Sequence, residues 1–178
     1  MYDEILTFWF VESSPRMWWT ADSAFDSAIA NRFGAVHSAA VLGELYEWRR
    51  APGGRLAEII VLDQFSRHLF RGTARAFASD PMALVLAQEA VAGAHDQGLS
   101  NQERAFLYMP FMHSESRLIH VQAERLFASP GLDDNHESEL RHKAIIDRFG
   151  RYPHRNAVLG RESTPEELVF LQQPGSRF

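Results

Sequence analysis

The sequence predicts an all-α fold: one compact domain over residues 1–178, built from about seven or eight helices. Three observations carry this expectation. Apolar residues recur at the three-to-four-residue spacing of a helix face in segment after segment. The segments are bounded by capping residues, prolines and glycines where helices start and stop. No run alternates apolar and polar residues as a half-buried strand does, and no linker divides the chain into halves of distinct composition.

A first helix is expected over residues 3–11, stopped by Ser13, Ser14 and Pro15. Thr20 or Asp22 caps a longer one, whose Phe25, Ile29, Phe33, Val36 and Ala40 face inward and which Gly43 ends or bends. Pro52, Gly53 and Gly54 punctuate the chain, and residues 55–70 behind them read as a helix apolar over most of its circumference, hence central in the fold. Asp80 as N-cap and Pro81 at the first helical position open the next helix, closed by Gly93 or Gly98. Ser100 and Glu103 have capping-box spacing. Pro110 lacks an amide donor and is expected to interrupt that helix, with a kink or restart near His113. Helices over residues 116–127 and 136–149 follow, and Thr164, Pro165 and Glu167 start a short last one. No internal copy recurs at a fixed period, so spacing gives no argument for repeats.

Composition narrows the classes. A chain that is 46% hydrophobic holds too much apolar material for a disordered segment, and 178 residues suffice for one core. Cysteine is absent, which removes disulfides, thiolate metal sites and cysteine nucleophiles and favours a reducing compartment. Asp3 and Glu4 stand where a signal peptide carries positive charge, and the apolar runs at 5–11 and 105–112 fall short of the ~20 residues of a membrane span, so a cytoplasmic location is expected. The net charge of −5 disfavours a nucleic-acid partner. Of 18 basic residues all but Lys143 are arginine, the side chain suited to bidentate contacts with carboxylate or phosphate.

Three segments place polar residues in apolar surroundings. In residues 62–77, LDQFSRHLFRGTARAF, the groups Asp63, Gln64 and Arg67 lie among core-type residues, and Asp63, Arg67 and Arg71 share one helix face. Burying them unpaired costs several kcal/mol each, roughly, so they require partners. In residues 106–115, FLYMPFMHSE, the groups His113 and Glu115 follow an apolar run. In residues 148–156, RFGRYPHRN, Arg151, His154, Arg155 and Asn156 surround a glycine and a proline. Gathered into one cleft, these groups hold a small anion or the carboxylate of a peptide or protein partner.

The leading expectation is therefore a binding module whose cleft is lined by Asp63, Gln64, Arg67, Arg71, Arg151, Arg155 and Asn156. Its rival is a hydrolase or transferase in which His113 or His154 is the acid or base, Glu115 or Asp63 orients it and arginines hold a charged substrate. A third alternative keeps the cluster structural and places function in a homo-oligomeric interface. No HExxH or other metal-ligand spacing, GxSxG turn or glycine-rich phosphate loop occurs, so neither metal nor cofactor is expected.

At these segments the chain resembles a bacterial family, domain of unknown function 924. The resemblance rests on residues 5–10 followed by Trp18-Trp19 and Phe25-Asp26, on LDQFSRHLFRGTARAFASD at 62–80, FLYMPFMHSES at 106–116, RFGRYPHRN at 148–156, and LGREST with Glu166-Glu167 from Leu159. The chain departs at Ser66 and His68, where the family usually has proline and asparagine, and at Met112, where it has an acid. The resemblance implies a fold grouped with tetratricopeptide-like superhelices and no established activity.

Overall fold

The structure, a computed structural model, describes residues 2–176; the outermost residues of the expected domain, 1, 177 and 178, lie outside them. Nine helices and no strand are present among the described residues. They are α1 (residues 2–12, Tyr2–Thr7 continued by a π-turn at Phe8–Glu12), α2 (Pro15–Trp19), α3 (Ser23–Val41) and α4 (residues 52–69, interrupted by a π-turn at Val61–Phe65). Then come α5 (Asp80–Ala92), α6 (Asn101–Met112), α7 (Arg117–Phe127), α8 (Asp133–Phe149) and α9 (Pro165–Phe170). The count exceeds the expected seven or eight because the five-residue α2 has no apolar period long enough to read.

Helix α4 is central, as its composition predicts: Leu56, Ala57, Ile59, Ile60, Val61, Leu62 and Phe65 are all fully buried. Helices α1, α3, α5 and α6 surround it. Trp9 of α1 anchors one end, its ring 5.8 Å from Trp18, 5.6 Å from Phe65 and 5.5 Å from Phe106, while Trp18 Nε1–H donates to the Trp9 carbonyl. Such aromatic pairs add roughly 0.5–1.5 kcal/mol each beyond area burial. A smaller apolar cluster of Ile145, Ile146 and Tyr152, with Phe149 and Phe170 against it, ties α8 to α9.

Several helix ends differ from expectation. Helix α4 begins at Pro52 rather than residue 55, because proline at the first helical position needs no hydrogen-bond acceptor and the glycines fit where backbone approaches closely. A Cβ on Gly54 would stand 2.1 Å from the Trp48 carbonyl oxygen. Asp80 is the first residue of α5, not its cap; Ser79 takes that place and Asp80 turns its carboxylate elsewhere. Pro110 leaves α6 uninterrupted, since it lies in the last turn, where the helix loses a single bond and residues 105–112 are all buried. The capping boxes at Ser100/Glu103 and Thr164/Glu167 form as expected.

Candidate functional site

The site begins at the π-turn of α4. A π-turn widens the helix and exposes carbonyl oxygens that an α-helix would have paired. Here side chains one turn later answer two of them: Ser66 Oγ donates to the Leu62 carbonyl at 2.6 Å, and Arg67 donates to the Asp63 carbonyl at 2.5 Å. His37 Nε2 lies 2.8 Å from Ser66 Oγ, whose own hydrogen is committed to Leu62, so the imidazole is the donor. The turn is thus pinned while Asp63 and Gln64 are held inside the protein.

Asp63 is 1% exposed. One of its oxygens accepts from Gln64 Nε2 at 2.6 Å; the other lies 2.8 Å from His113 Nδ1 and 3.2 Å from Arg67. Burial pushes its carboxyl up, but Arg67, His113 and Gln64 outweigh burial and hold it well below the usual carboxylate range. A carboxylate only accepts, so His113 carries its hydrogen on Nδ1 and leaves the Nε2 lone pair. Burial and then Arg67 lower the basicity of His113, against the pull of Asp63, so the ring is neutral at neutral pH. Nε2 has no hydrogen-bond partner among the described residues, and its ring edge reaches a cleft.

Asp80, thirteen positions after Arg67, completes the cluster. Its two oxygens take a bidentate pair from Arg67 at 2.9 and 3.0 Å, and one of them also accepts from Arg155 at 3.3 Å. Arg67, given two carboxylates and a carbonyl, keeps its proton more firmly than usual: burial works against the charge, and Asp63 and Asp80 overcome it. Arg155 is served far less well. It is 6% exposed, its Nε–H is buried without an acceptor, and burial followed by Arg67 lowers its pKa. Its guanidinium lies over the rings of Phe77 and Tyr152, 4.6 Å from each centroid.

A second imidazole, that of His68, lines the same cleft with a carboxylate behind it. Asp26 of α3 lies 2.8 Å from His68 Nδ1 and takes two hydrogen bonds from Arg71, both at 2.8 Å. His142 of α8 donates Nδ1–H to the Ser138 carbonyl, and burial lowers its pKa to about 3. The cleft measures about 550 Å³. Trp18, Trp19, Ala76, Phe77, Met109 and Met112 supply an apolar wall, and Gln64, Arg67, His68, Arg71, His113, His142, His154 and Arg155 line the polar side.

The three sequence segments therefore meet only in part. Asp63, Gln64, Arg67, Arg71, His113, His154 and Arg155 border the cleft or bond directly to its lining. Glu115 does not orient His113; it accepts from the Tyr152 amide at 2.7 Å and is clamped by Arg161. Arg151 pairs bidentately with Glu167, and Asn156 bonds Ser163, Glu167 and Arg161. These three residues build the loop that carries Arg155 and stand outside the cleft. Sequence reasoning missed Asp26, Asp80, His68, His142 and Tyr152. A signal exists for Asp80, an acid beside the arginine-rich segment, although its place before Pro81 reads as a helix cap. Among the described residues, no three histidines or acids are close enough together to hold a metal ion, and no helix is long and apolar enough to cross a membrane.

Residues 5–175 match the sequence profile of a bacterial family described as protein of unknown function (DUF924). A solved structure of a protein of unknown function, ATU0120 from Agrobacterium tumefaciens, is similar over 96% of both chains, with 40% identity and a TM-score of 0.91. No curated protein matches the chain.

Proposed function

Since this chain belongs to the bacterial family of proteins of unknown function DUF924, we propose its function from the cleft itself: a binding site for a small molecule with an anionic head and an apolar body. The observation that carries this reading is Arg155, a cation nine-tenths buried, with one long hydrogen bond to a carboxylate already committed to Arg67 and a buried Nε–H that meets no acceptor. An under-compensated buried charge is expensive, and an incoming anion removes that cost. The apolar wall gives the rest of the ligand somewhere to go, and a cleft of about 550 Å³ suits a small molecule better than a peptide.

Calorimetry and thermal shift with benzoate, phenylacetate and phenyl phosphate test this. Wild-type protein is stabilised, by about 2.7 kcal/mol at a hundredfold excess over Kd. Arg155→Met removes the shift, whereas Arg151→Met, outside the cleft, retains it. Equal shifts in wild type and Arg155→Met, or none with any of the three anions, overturn the reading.

A further inference from the structure

We propose that the cleft enolises its ligand, with His113 Nε2 taking a proton from the carbon beside the keto group of an α-oxo carboxylate held by Arg155. The inference rests on the binding reading above and names the substrate class of that same cleft.

The tautomer is fixed. Asp63, itself locked by Gln64 and Arg67, requires the hydrogen on Nδ1, so the free lone pair of His113 is on the ring edge away from the carboxylate, and the ring lines the cleft. A carboxylate behind an imidazole orients it and stabilises the imidazolium that forms when Nε2 accepts a proton. No serine, threonine or tyrosine hydroxyl is bonded to Nε2 among the described residues, so the arrangement supplies a base without a paired nucleophile. What such a base can do unaided is move a proton of the ligand. An imidazole of lowered basicity removes only a proton that a neighbouring carbonyl has acidified.

The cation selects the rest. Arg67 has its acceptors, whereas Arg155, on the cleft wall, makes one long hydrogen bond to Asp80 and keeps donor capacity on its terminal nitrogens. An α-oxo carboxylate offers a guanidinium fork two neighbouring acceptors, one carboxylate oxygen and the keto oxygen. On that oxygen the charge develops when the C–H bond breaks, its electron pair forms the C=C bond and the carbonyl π pair moves onto oxygen. Nε2 gains the proton, and returning it, or one from solvent, to carbon closes the cycle. No oxidant, metal or second substrate enters. The apolar wall of Trp19, Met109 and Met112 suits an aryl or alkyl group on the enolising carbon.

Phenylpyruvate carries all three features and is the probe. Proton NMR in D2O follows loss of its methylene signal, with thermal shift measured on the same samples. Wild type is expected to exchange the methylene at least about tenfold faster than buffer. His113→Gln, or His113→Asn, whose amide stands near Nδ1, falls to the buffer rate while still being stabilised by phenylpyruvate; Arg155→Met loses both. The groups facing His113 are Asp63 and Arg67 of α4, Asp80 of α5 and His142 of α8, and their balance leaves the ring less basic than usual. The rate is therefore flat through neutral pH and falls only on the acid side of the ordinary imidazole range. Binding with exchange at the buffer rate overturns enolisation alone, as does an undiminished rate in either His113 variant that folds. Failure to bind phenylpyruvate while benzoate binds removes this substrate class, and failure of every anion removes the binding reading as well.

Discussion

Asp63 is the residue on which most of the polar cluster turns. It is fully buried, charged, and satisfied by three side chains, and removing one member of such a network leaves the others buried without a counter-charge. Asp63→Asn is expected to lower unfolding stability by about 3–5 kcal/mol, read as a drop in the denaturant midpoint. Glu115→Gln, which weakens a partly exposed pair with Arg161 but keeps an oxygen for the Tyr152 amide, is expected to cost less, about 1 kcal/mol. Equal losses in the two variants contradict the account of Asp63. The need for partners at Asp63 and Arg67 was legible in the sequence, because the two are one helical turn apart on an apolar helix. Their other partners were not. Asp80 is 13 positions from Arg67 and 75 from Arg155, and Asp26 is 42 from His68, so only the packing of α3, α5 and the loop after α8 brings them together.

At the scale of the helix, two glycines make opposite predictions. Gly34 lies inside α3 with nothing within 4 Å of a Cβ added there, so Gly34→Ala removes only conformational freedom of the unfolded chain and stabilises by about 0.5–1 kcal/mol. Gly54 lies in the first turn of α4, where a Cβ meets the Trp48 backbone, so Gly54→Ala destabilises by about 1–3 kcal/mol or shifts the start of the helix. Thermal melts of the two variants check both signs. Helix starts were readable wherever a side chain does the capping, at Asp22, Ser100 and Thr164. They were misread where backbone packing decides, at Pro52 and Asp80. The π-turn in α4 was illegible, because one extra residue per turn barely disturbs the apolar pattern of a helix buried all round.

For the whole molecule, acid is the telling condition. His37, His68, His113 and His142 are each lowered first by burial, so the folded protein holds them neutral where the unfolded chain takes up protons. Their folded pKa lies below the unfolded value near 6.5, which makes stability full above that pH and falling as pH drops, by at most about 1.4 kcal/mol per unit per histidine. Glu139, raised by burial, opposes this with a single proton. The melting temperature should decline between pH 6.5 and 5, ahead of most carboxylate titration, and His142→Gln should flatten the decline. An unchanged melting temperature across that window contradicts the burial of these rings. The all-helical architecture was legible because helical periodicity and its punctuation are local properties. The cleft was half legible, since a sequence marks polar groups that require company without saying which of them share it.

Trp19 stands at the rim of the cleft, 60% exposed and stacked at 5.9 Å on Phe106, while Trp18 beside it in the wall is buried and Trp9 is sealed in the core. An indole so placed is a native optical gauge: a molecule settling into the cleft strips water from it and shifts its emission toward the blue. The protein therefore reports on its own occupancy without a label, and Trp19→Phe removes the water-exposed gauge while leaving the buried indoles lit.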